Sequence, residues 1–247
     1  MPHQNTARKD RNGEQLPRSA GVRVAIWGAT GAAGAEVLRQ CLAEPRVGEI
    51  VTFSRRPLQC EESARIKQVH VDDFLDWKPH ALTLRRIDLA FWCLGVSQLT
   101  EPDPRAYRVI TRDFAVAAAR VVQRQSPDAA FHYLSGLGAA KNGLSPVMWG
   151  RAKGEAEKAL SEVGLRRLVV WRPTFIHSVA GRERPTRGDR MAELLYFRAI
   201  PLLTNSTVDI AQAMLHTSFH DEGDRTYGPF GIVQIARKYR RSLAEAV

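Results

Sequence analysis

A glycine-rich stretch near the N-terminus constrains the fold of this chain more than any other feature. The apolar run Val22–Trp27 ends in Gly28-Ala-Thr-Gly31-Ala-Ala-Gly34, and apolar residues then recur at helical spacing (Val37, Leu38, Cys41 and Leu42). This pattern predicts a strand, a tight turn and a helix. Glycine lets the backbone bend sharply and approach a ligand closely. The first helical turn leaves amide N–H groups without partners, and a pyrophosphate satisfies them.

The spacing of these glycines, GxxGxxG, is less specific than the GxGxxG fingerprint, so a plain tight turn is the alternative. The next predicted strand, Glu49–Phe53, adds a second observation because Ser54, Arg55 and Arg56 follow it. In a dinucleotide-binding unit this position meets the adenosine ribose, and an acidic residue there selects NAD. Two arginines without a carboxylate favour a 2′-phosphate. We therefore expect NADP in preference to NAD, rather than two solvated arginines in a loop.

Apolar runs alternate with helical patterns along the next part of the chain. Further strands are predicted over 66–71, 87–94, 129–134 and 168–171, and helices over 105–125 and 148–160. Alternating strands and helices predict an α/β fold with a Rossmann-like, doubly wound parallel sheet.

The last third of the chain differs in pattern. A polar loop over 181–188 is followed by predicted helices over 191–199 and 208–220, and by a short strand at 226–227. We interpret the region from about residue 177 as a small C-terminal cap on the substrate side. Residues 21–247 are expected to form one NAD(P)-binding domain, and the polar residues 1–20 a disordered tail.

Ligands of open α/β sheets bind at the carboxyl ends of the strands, so the residues that follow each strand are candidates. Asp72 and Asp73 follow the third strand, where a carboxylate can accept a hydrogen bond from the adenine amino group or cap the next turn. The sequence leaves both interpretations open. Leu94, Gly95 and Val96 follow the next strand, and the glycine there lets the backbone pass close to a nicotinamide ribose.

Composition excludes several classes of protein. The 247 residues contain no apolar run long enough to cross a bilayer, and Cys41, Cys60 and Cys93 lack metal-ligand spacing. We therefore expect no metal and a cytoplasmic location. The net charge is +10, but the arginines are spread from Arg8 to Arg241 without interleaved aromatic residues. Nucleic-acid binding is not expected, and the basic run 237–241 is interpreted as a solvated helix face.

As a set, these motifs resemble those of the atypical short-chain dehydrogenase/reductases, in particular a small NAD(P)H-binding subgroup. The resemblance extends from residue 22 to about 227 and includes the glycine turn, Ser54–Arg56, Cys93–Gly95, Leu134-Ser135, Lys153–Glu155 and Arg172-Pro173. The expected cofactor-binding residues are Gly28, Thr30, Gly31, Ala32, Ala33, Gly34, Ser54, Arg55, Arg56, Asp72, Asp73, Leu94, Gly95, Val96, Lys153, Pro173, Thr174 and Phe175.

The resemblance also implies a catalytic serine, tyrosine and lysine. Ser135 matches the serine that orients the substrate carbonyl, and Lys153 matches the lysine that holds the nicotinamide ribose. The tyrosine position of the YxxxK motif is occupied by Trp149. An indole N–H donates a hydrogen bond but does not exchange its proton at useful pH. Losing general acid/base catalysis costs on the order of 10²- to 10⁴-fold in rate.

Two functions follow from this departure. The chain is either an NADP(H)-binding oxidoreductase with weak or altered hydride transfer, or a non-catalytic NADPH-dependent sensor or scaffold with a protein partner. Under the first hypothesis another group supplies the proton, with Tyr107, His177 and Tyr196 as candidates. The resemblance further implies a homodimer formed through the helices over 105–125 and 148–160. The substrate is not specified by the sequence.

Overall fold

The computed structural model describes residues 21–58, 63–140, 144–177, 204–220 and 223–245. Its strands, in chain order, are β1 (Val22–Trp27), β2 (Val47–Ser54), β3 (Ile66–His70), β4 (Leu89–Trp92), β5 (Ala130–Leu134), β6 (Arg167–Trp171), β7 (Phe175–His177), β8 (Thr204–Ser206) and β9 (Arg225–Tyr227). Seven of them form one parallel sheet in the order β3-β2-β1-β4-β5-β6-β9. β7 and β8 form a separate parallel pair.

The helices are α1 (Ala32–Ala43), α2 (Pro104–Arg108), α3 (Phe114–Gln125), α4 (Met148–Ser161), α5 (Thr207–His220) and α6 (Pro229–Ala244), with a 3-10 helix at Lys78–Leu84. The single helix predicted over 105–125 is interrupted, because a π-helical turn at Val109–Asp113 joins α2 to α3. The predicted tail over 1–20, the predicted helix over 191–199, Tyr196 and Cys60 lie outside the described residues.

Helices cover both faces of the sheet, which confirms the predicted doubly wound α/β fold. One core contains residues of α1, α5 and α6 with Val24, Ile26 and Phe91 of the sheet. The other contains residues of α3 and α4 with Trp27 and Trp92. Because successive side chains of a strand point to opposite faces, each central strand contributes to both cores.

The strand register brings the candidate residues to one edge of the sheet. Trp27 is level with Phe53 of β2 and with Trp92 of β4, and Trp92 is level with Tyr133 of β5. The residues that follow this row are Gly28, Ser54, Cys93 and Leu134. Since all these strands run in the same direction, the four chain segments that leave the sheet here begin at neighbouring positions.

The described part of the last third belongs largely to the main body of the fold. β9 extends the sheet beside β6, as the predicted strand at 226–227 suggested, and α5 and α6 share a core with α1. The substrate-side cap stays a prediction, since residues 178–203 lie outside the described ranges. Among the helices that the structure describes, none is both long and apolar enough to cross a membrane.

Candidate functional site

The turn between β1 and α1 is built by two glycines that no other residue can replace without strain. Gly28 has a φ of 80°, and a Cβ on it would lie 2.6 Å from the Leu94 backbone nitrogen. A Cβ on Gly34 would lie 2.1 Å from the Gly28 carbonyl oxygen. Both distances are far below van der Waals contact, so the packing of α1 against the ends of β1 and β4 requires both glycines.

The same turn leaves the start of α1 open. Gly31 is the N-cap residue, it provides no side-chain cap, and the first turn contains no acidic residue. The Gly31 N–H donates to the Gly28 carbonyl at 2.9 Å, whereas the amides of the first helical turn have no acceptor within the helix. This arrangement, with its positive dipole end, fits the phosphates of a dinucleotide.

The two arginines after β2 are available for an anion. The Ser54 hydroxyl donates to the Arg56 carbonyl and closes the turn, and the Val71 N–H donates to the Ser54 carbonyl at 3.0 Å. Arg55 and Arg56 are exposed, and neither forms an ion pair with a carboxylate of the described residues. Their guanidinium groups can therefore meet a 2′-phosphate at this edge of the sheet without breaking an existing salt bridge.

The two aspartates after β3 have different local roles. Asp73 accepts a hydrogen bond from the Leu75 N–H at 2.8 Å, so it caps the following turn. Asp72 is exposed and lies 2.8 Å from Nε2 of His70. Asp72 is the aspartate available for the predicted contact with an adenine amino group, because its second carboxylate oxygen has no partner among the described residues.

Ser135 is held in a buried network that the sequence did not predict. Its hydroxyl donates to Oε1 of Glu157 at 2.6 Å. Glu157 is fully buried and also accepts from Nε and Nη2 of Arg172, at 2.9 and 2.5 Å. The single hydroxyl proton of Ser135 is therefore engaged by a carboxylate, and the ion pair links β5, α4 and the end of β6.

Lys153 projects from α4 to the end of β5. Its Nζ donates to the Leu134 carbonyl at 3.0 Å and lies 5.5 Å from the ring centroid of Tyr133. Burial lowers the pKa of Lys153 to about 8, although the carboxylate of Glu157 and the thiol of Cys93 favour the charged form. A cation with one neutral acceptor and no direct carboxylate partner retains two N–H donors for a ligand.

Trp149 lies over the loop that follows β5. A Cβ on Gly138, which has a φ of 97°, would lie 3.0 Å from Cη2 of its indole, and a Cβ on Gly136 would lie 3.4 Å from Cζ3. The six-membered ring therefore covers glycine backbone where a side chain would not fit. The opposite edge of the indole carries Nε1, which forms no hydrogen bond with the described residues.

The remaining predicted cofactor residues lie along the same edge of the sheet. The Pro173 carbonyl accepts from the Leu137 N–H at 2.7 Å, and the Thr174 N–H donates to Oδ1 of Asn205 at 3.1 Å. Phe175 is exposed, as is Gly95 after β4. Their contacts with a cofactor stay predictions.

The alternative proton donors differ in their surroundings. Tyr107 lies in α2 and is buried, and this burial raises the pKa of its hydroxyl. His177 ends β7, where it pairs with Ser206 of β8. Neither is joined by a hydrogen bond to Ser135 or Lys153.

Glu157 is the functional residue that sequence reasoning missed. It follows Lys153 by four residues, which places both on one side of α4, and its neighbours Ala156 and Leu160 are buried. A carboxylate in the apolar stripe of a helix needs a partner, and that pattern was the available signal.

Sequence comparison finds relatives over most of the chain. The chain is 28% identical over 180 residues to protein HTATIP2 of Rattus norvegicus, which covers 72% of this chain and 71% of that protein. It is also 28% identical over 166 residues to the mitochondrial protein fmp52 of Emericella nidulans, covering 66% and 70%. No protein-family model matches the sequence.

These relatives correct one prediction. The expected cytoplasmic location is wrong by this comparison, because the fungal relatives are named as mitochondrial proteins. The expectation rested on Cys41, Cys60 and Cys93, which lie in unrelated sequence contexts and suggested a reducing compartment. That property does not distinguish the cytoplasm from a mitochondrial compartment.

Solved structures with the same fold include proteins named as short-chain dehydrogenases and others named as UDP-glucose 4-epimerases. An oxidoreductase of the short-chain dehydrogenase/reductase family from Burkholderia thailandensis has a TM-score of 0.64 at 16% identity, covering 91% of this chain and 97% of that one. WbmF of Bordetella bronchiseptica, solved with NAD⁺, has 0.63 at 14% identity, covering 90% and 78%. A short-chain dehydrogenase from Burkholderia cenocepacia, solved with NADP, has 0.61 at 15% identity, covering 92% and 94%. Together with the sequence relatives, they show that the chain resembles an atypical short-chain dehydrogenase/reductase.

Proposed function

We propose that the protein binds NADP(H) and acts as an oxidoreductase on a carbonyl substrate, with hydride-transfer chemistry altered by Trp149. The observation that carries the proposal is the composition of one sheet edge. The open start of α1, the two unpaired arginines and the Lys153 ammonium all lie where parallel strands end. Ligands of open α/β sheets bind at this edge.

The preference for NADP rests on Arg55 and Arg56. Proteins of the same fold have been solved with NAD⁺ and with NADP, which supports a dinucleotide without deciding between the two. Guanidinium groups recognise phosphate oxygens through charge-assisted hydrogen bonds, and no acidic residue follows β2 to accept the 2′-hydroxyl of NAD.

Each residue of the proposed site would have its own role. When bound, the nicotinamide supplies or accepts a hydride. The first-turn amides of α1 would hold the phosphates, and Lys153 would donate to the ribose hydroxyls beside Gly95. The Ser135 oxygen retains lone pairs, but its O–H donates a hydrogen bond to Glu157, so it orients a substrate less directly than a free hydroxyl. Trp149 would close the site above Gly136 and Gly138.

A second candidate function is a sensor or scaffold that binds NADPH without turnover. Two observations favour it, the engagement of Ser135 by Glu157 and the replacement of the usual phenol by an indole. Both features weaken the capacity to orient and protonate a substrate, and both leave the nucleotide-binding turn intact. The two functions predict equal NADPH binding and differ in carbonyl turnover.

Calorimetric titration of the purified chain with NADPH and NADH tests the proposal. We expect NADPH to bind at least 10-fold more tightly. In an Arg55→Gln/Arg56→Gln variant the affinity for NADPH should fall by about 10- to 100-fold per lost phosphate contact, because a hydrogen bond to a charged group contributes about 1.5–3 kcal/mol. The affinity for NADH should not change.

Arg124→Gln provides the control, since this exposed arginine of α3 lies on another part of the surface. Equal affinity for the two cofactors would contradict the NADP assignment. Absence of binding by either one would contradict both candidate functions. Binding without turnover of any carbonyl compound would favour the sensor.

A further inference from the structure

A carbonyl reduction consumes a proton, and the described groups around Ser135 and Trp149 do not supply it. The indole of Trp149 does not release a proton at useful pH, and the Ser135 hydroxyl is bound to Glu157. Glu157 itself accepts two hydrogen bonds from the Arg172 guanidinium and forms an ion pair with it. None of these three groups is placed to release a proton to a substrate.

The other titratable groups near the end of β5 are also committed. The Tyr133 hydroxyl is buried and donates to the Thr111 carbonyl at 3.0 Å. Burial raises the pKa of this tyrosine well above its ordinary value, and it raises the pKa of the Cys93 thiol to about 12. Both groups hold their protons throughout the physiological range.

Among the described groups at the end of β5, Lys153 has the geometry to deliver a proton. One of its three N–H bonds is directed to the Leu134 carbonyl, and no described carboxylate lies within salt-bridge distance of Nζ. Its stem passes the end of β5, where a Cβ on Gly136 would lie 3.6 Å from Cδ. The lack of a side chain at this glycine leaves the ammonium reachable from the edge at which the cofactor would bind.

We propose that Lys153 itself delivers the proton to the substrate oxygen, in the place that the missing phenol would hold. This inference rests on the proposed function. The carbonyl carbon gains a hydride with its electron pair from the reduced nicotinamide, which is oxidised. The carbonyl oxygen takes a proton from Nζ and becomes a hydroxyl group. Neutral Lys153 then regains a proton from solvent, so that atoms and charges balance.

The electrostatic surroundings of Nζ support this role. Burial lowers the pKa of Lys153 to about 8, which is close to the operating range of a general acid. The groups that face it are Cys93 at the end of β4, Tyr133 of β5 and Glu157 one turn further along α4, with Arg172 behind the carboxylate. The Glu157 carboxylate favours the charged form, but the desolvation caused by burial has the larger effect on this pKa.

The first test compares Lys153→Arg with the wild-type chain, using NADPH and 4-nitrobenzaldehyde or 9,10-phenanthrenequinone as probes. Arginine keeps the positive charge and the capacity to bind a ribose, but it does not give up a proton. We expect NADPH affinity within a few-fold of wild type and a fall in kcat/KM on the order of 100-fold or more. Lys158→Arg, an exposed lysine on the same helix, should leave both quantities unchanged.

Chemical rescue keeps the test valid if arginine does not fit the site. Turnover by Lys153→Ala should be restored in part by ethylammonium, which carries a proton, and not by ethyltrimethylammonium, which has the same charge and none to give. A readout independent of turnover is the titration of ¹³Cε-labelled lysine by NMR. One resonance, absent from Lys153→Arg, should titrate with a midpoint near 8.

Each result decides between the possibilities. Turnover retained by Lys153→Arg, or equal rescue by the two ammonium ions, would overturn the assignment of Lys153 while leaving the oxidoreductase in place. A Lys153 resonance that titrates near the ordinary value of ~10.4 would also overturn it. Absence of turnover by the wild-type chain, with NADPH bound, would overturn the oxidoreductase proposal and this assignment with it.

Discussion

The two halves of the candidate site, both at the carboxyl ends of the strands, are built in different ways. The half proposed to bind the nucleotide, here called the nucleotide half, is formed by β1, β2, β3 and α1, and its backbone shapes the candidate site through Gly28, Gly34 and the first turn of α1. The half proposed to meet the substrate, here called the reactive half, is formed by β4, β5, β6 and α4, and side chains shape it through the Ser135, Glu157 and Arg172 network. A backbone site depends on a few glycines, whereas a side-chain network can change its chemistry and keep its fold.

That difference explains how the chain can resemble a dehydrogenase in one half and depart from it in the other. Replacing a phenol by an indole at residue 149 leaves the glycine turn untouched, because the two lie on different strand ends. If the two halves are separable, a change in one should leave the properties of the other unaltered.

Breaking the buried ion pair should destabilise the reactive half most strongly. We expect Glu157→Gln to lower the free energy of unfolding by about 3–5 kcal/mol, because it leaves the Arg172 guanidinium without its counter-charge. Urea denaturation measures the loss. Glu155→Gln is the matched control on the same helix, since its ion pair with Arg108 is exposed and contributes about 0–1 kcal/mol. Similar losses for the two variants would contradict the structural role of the network.

On the other face of β5, a buried histidine is expected to make the fold less stable in acid. His132 is fully buried, accepts from the Trp171 indole at 3.2 Å, and lies 3.2 Å from the Ser218 hydroxyl. Burial lowers the pKa of His132 to about 3 from an ordinary value of 6.5, so the unfolded state binds the extra proton between these values. The stabilisation is fully present above pH 6.5 and is lost as the pH falls toward 3, for a total of about 5 kcal/mol.

Urea denaturation at several pH values measures this dependence, and His132→Gln is expected to remove it. A glutamine offers one acceptor and one donor but no titratable group. Equal pH dependence in the two proteins would mean that other groups cause the loss.

A comparison of Gly28 with Gly164 separates the two costs of replacing a glycine in the nucleotide turn. One is the strain of a positive φ, and the other is the steric clash of an added Cβ. Gly28 and Gly164 have φ values of 80° and 79°, but a Cβ on Gly164 meets no atom within 4 Å. Gly28→Ala should therefore lower the free energy of unfolding by about 1–3 kcal/mol more than Gly164→Ala, the difference being the clash with Leu94. NADPH affinity should fall only in Gly28→Ala. Equal effects of the two changes would indicate that the turn does not need the close approach.

The features that depend on local sequence patterns could be predicted. The positions of the main strands, the glycine turn and the alternation of elements all follow from hydrophobic period and turn chemistry, which are local. The buried Glu157 and Arg172 pair was not predicted, because residues 15 apart in the chain meet only through the packing of α4 on the sheet. The π-helical turn at Val109–Asp113 was missed for a similar reason, since the apolar pattern continues through it.

We propose that the nucleotide half keeps its binding function while the proton donor of the reactive half has changed. The most direct test measures NADPH affinity and carbonyl turnover in the wild type, Trp149→Tyr and Trp149→Phe. We expect all three to bind NADPH within a few-fold of one another. Trp149→Phe should turn over at the wild-type rate, and Trp149→Tyr should be at least 10-fold faster because a phenol can donate the proton. Loss of NADPH binding in both variants, or loss of turnover in Trp149→Phe with no gain in Trp149→Tyr, would contradict the claim.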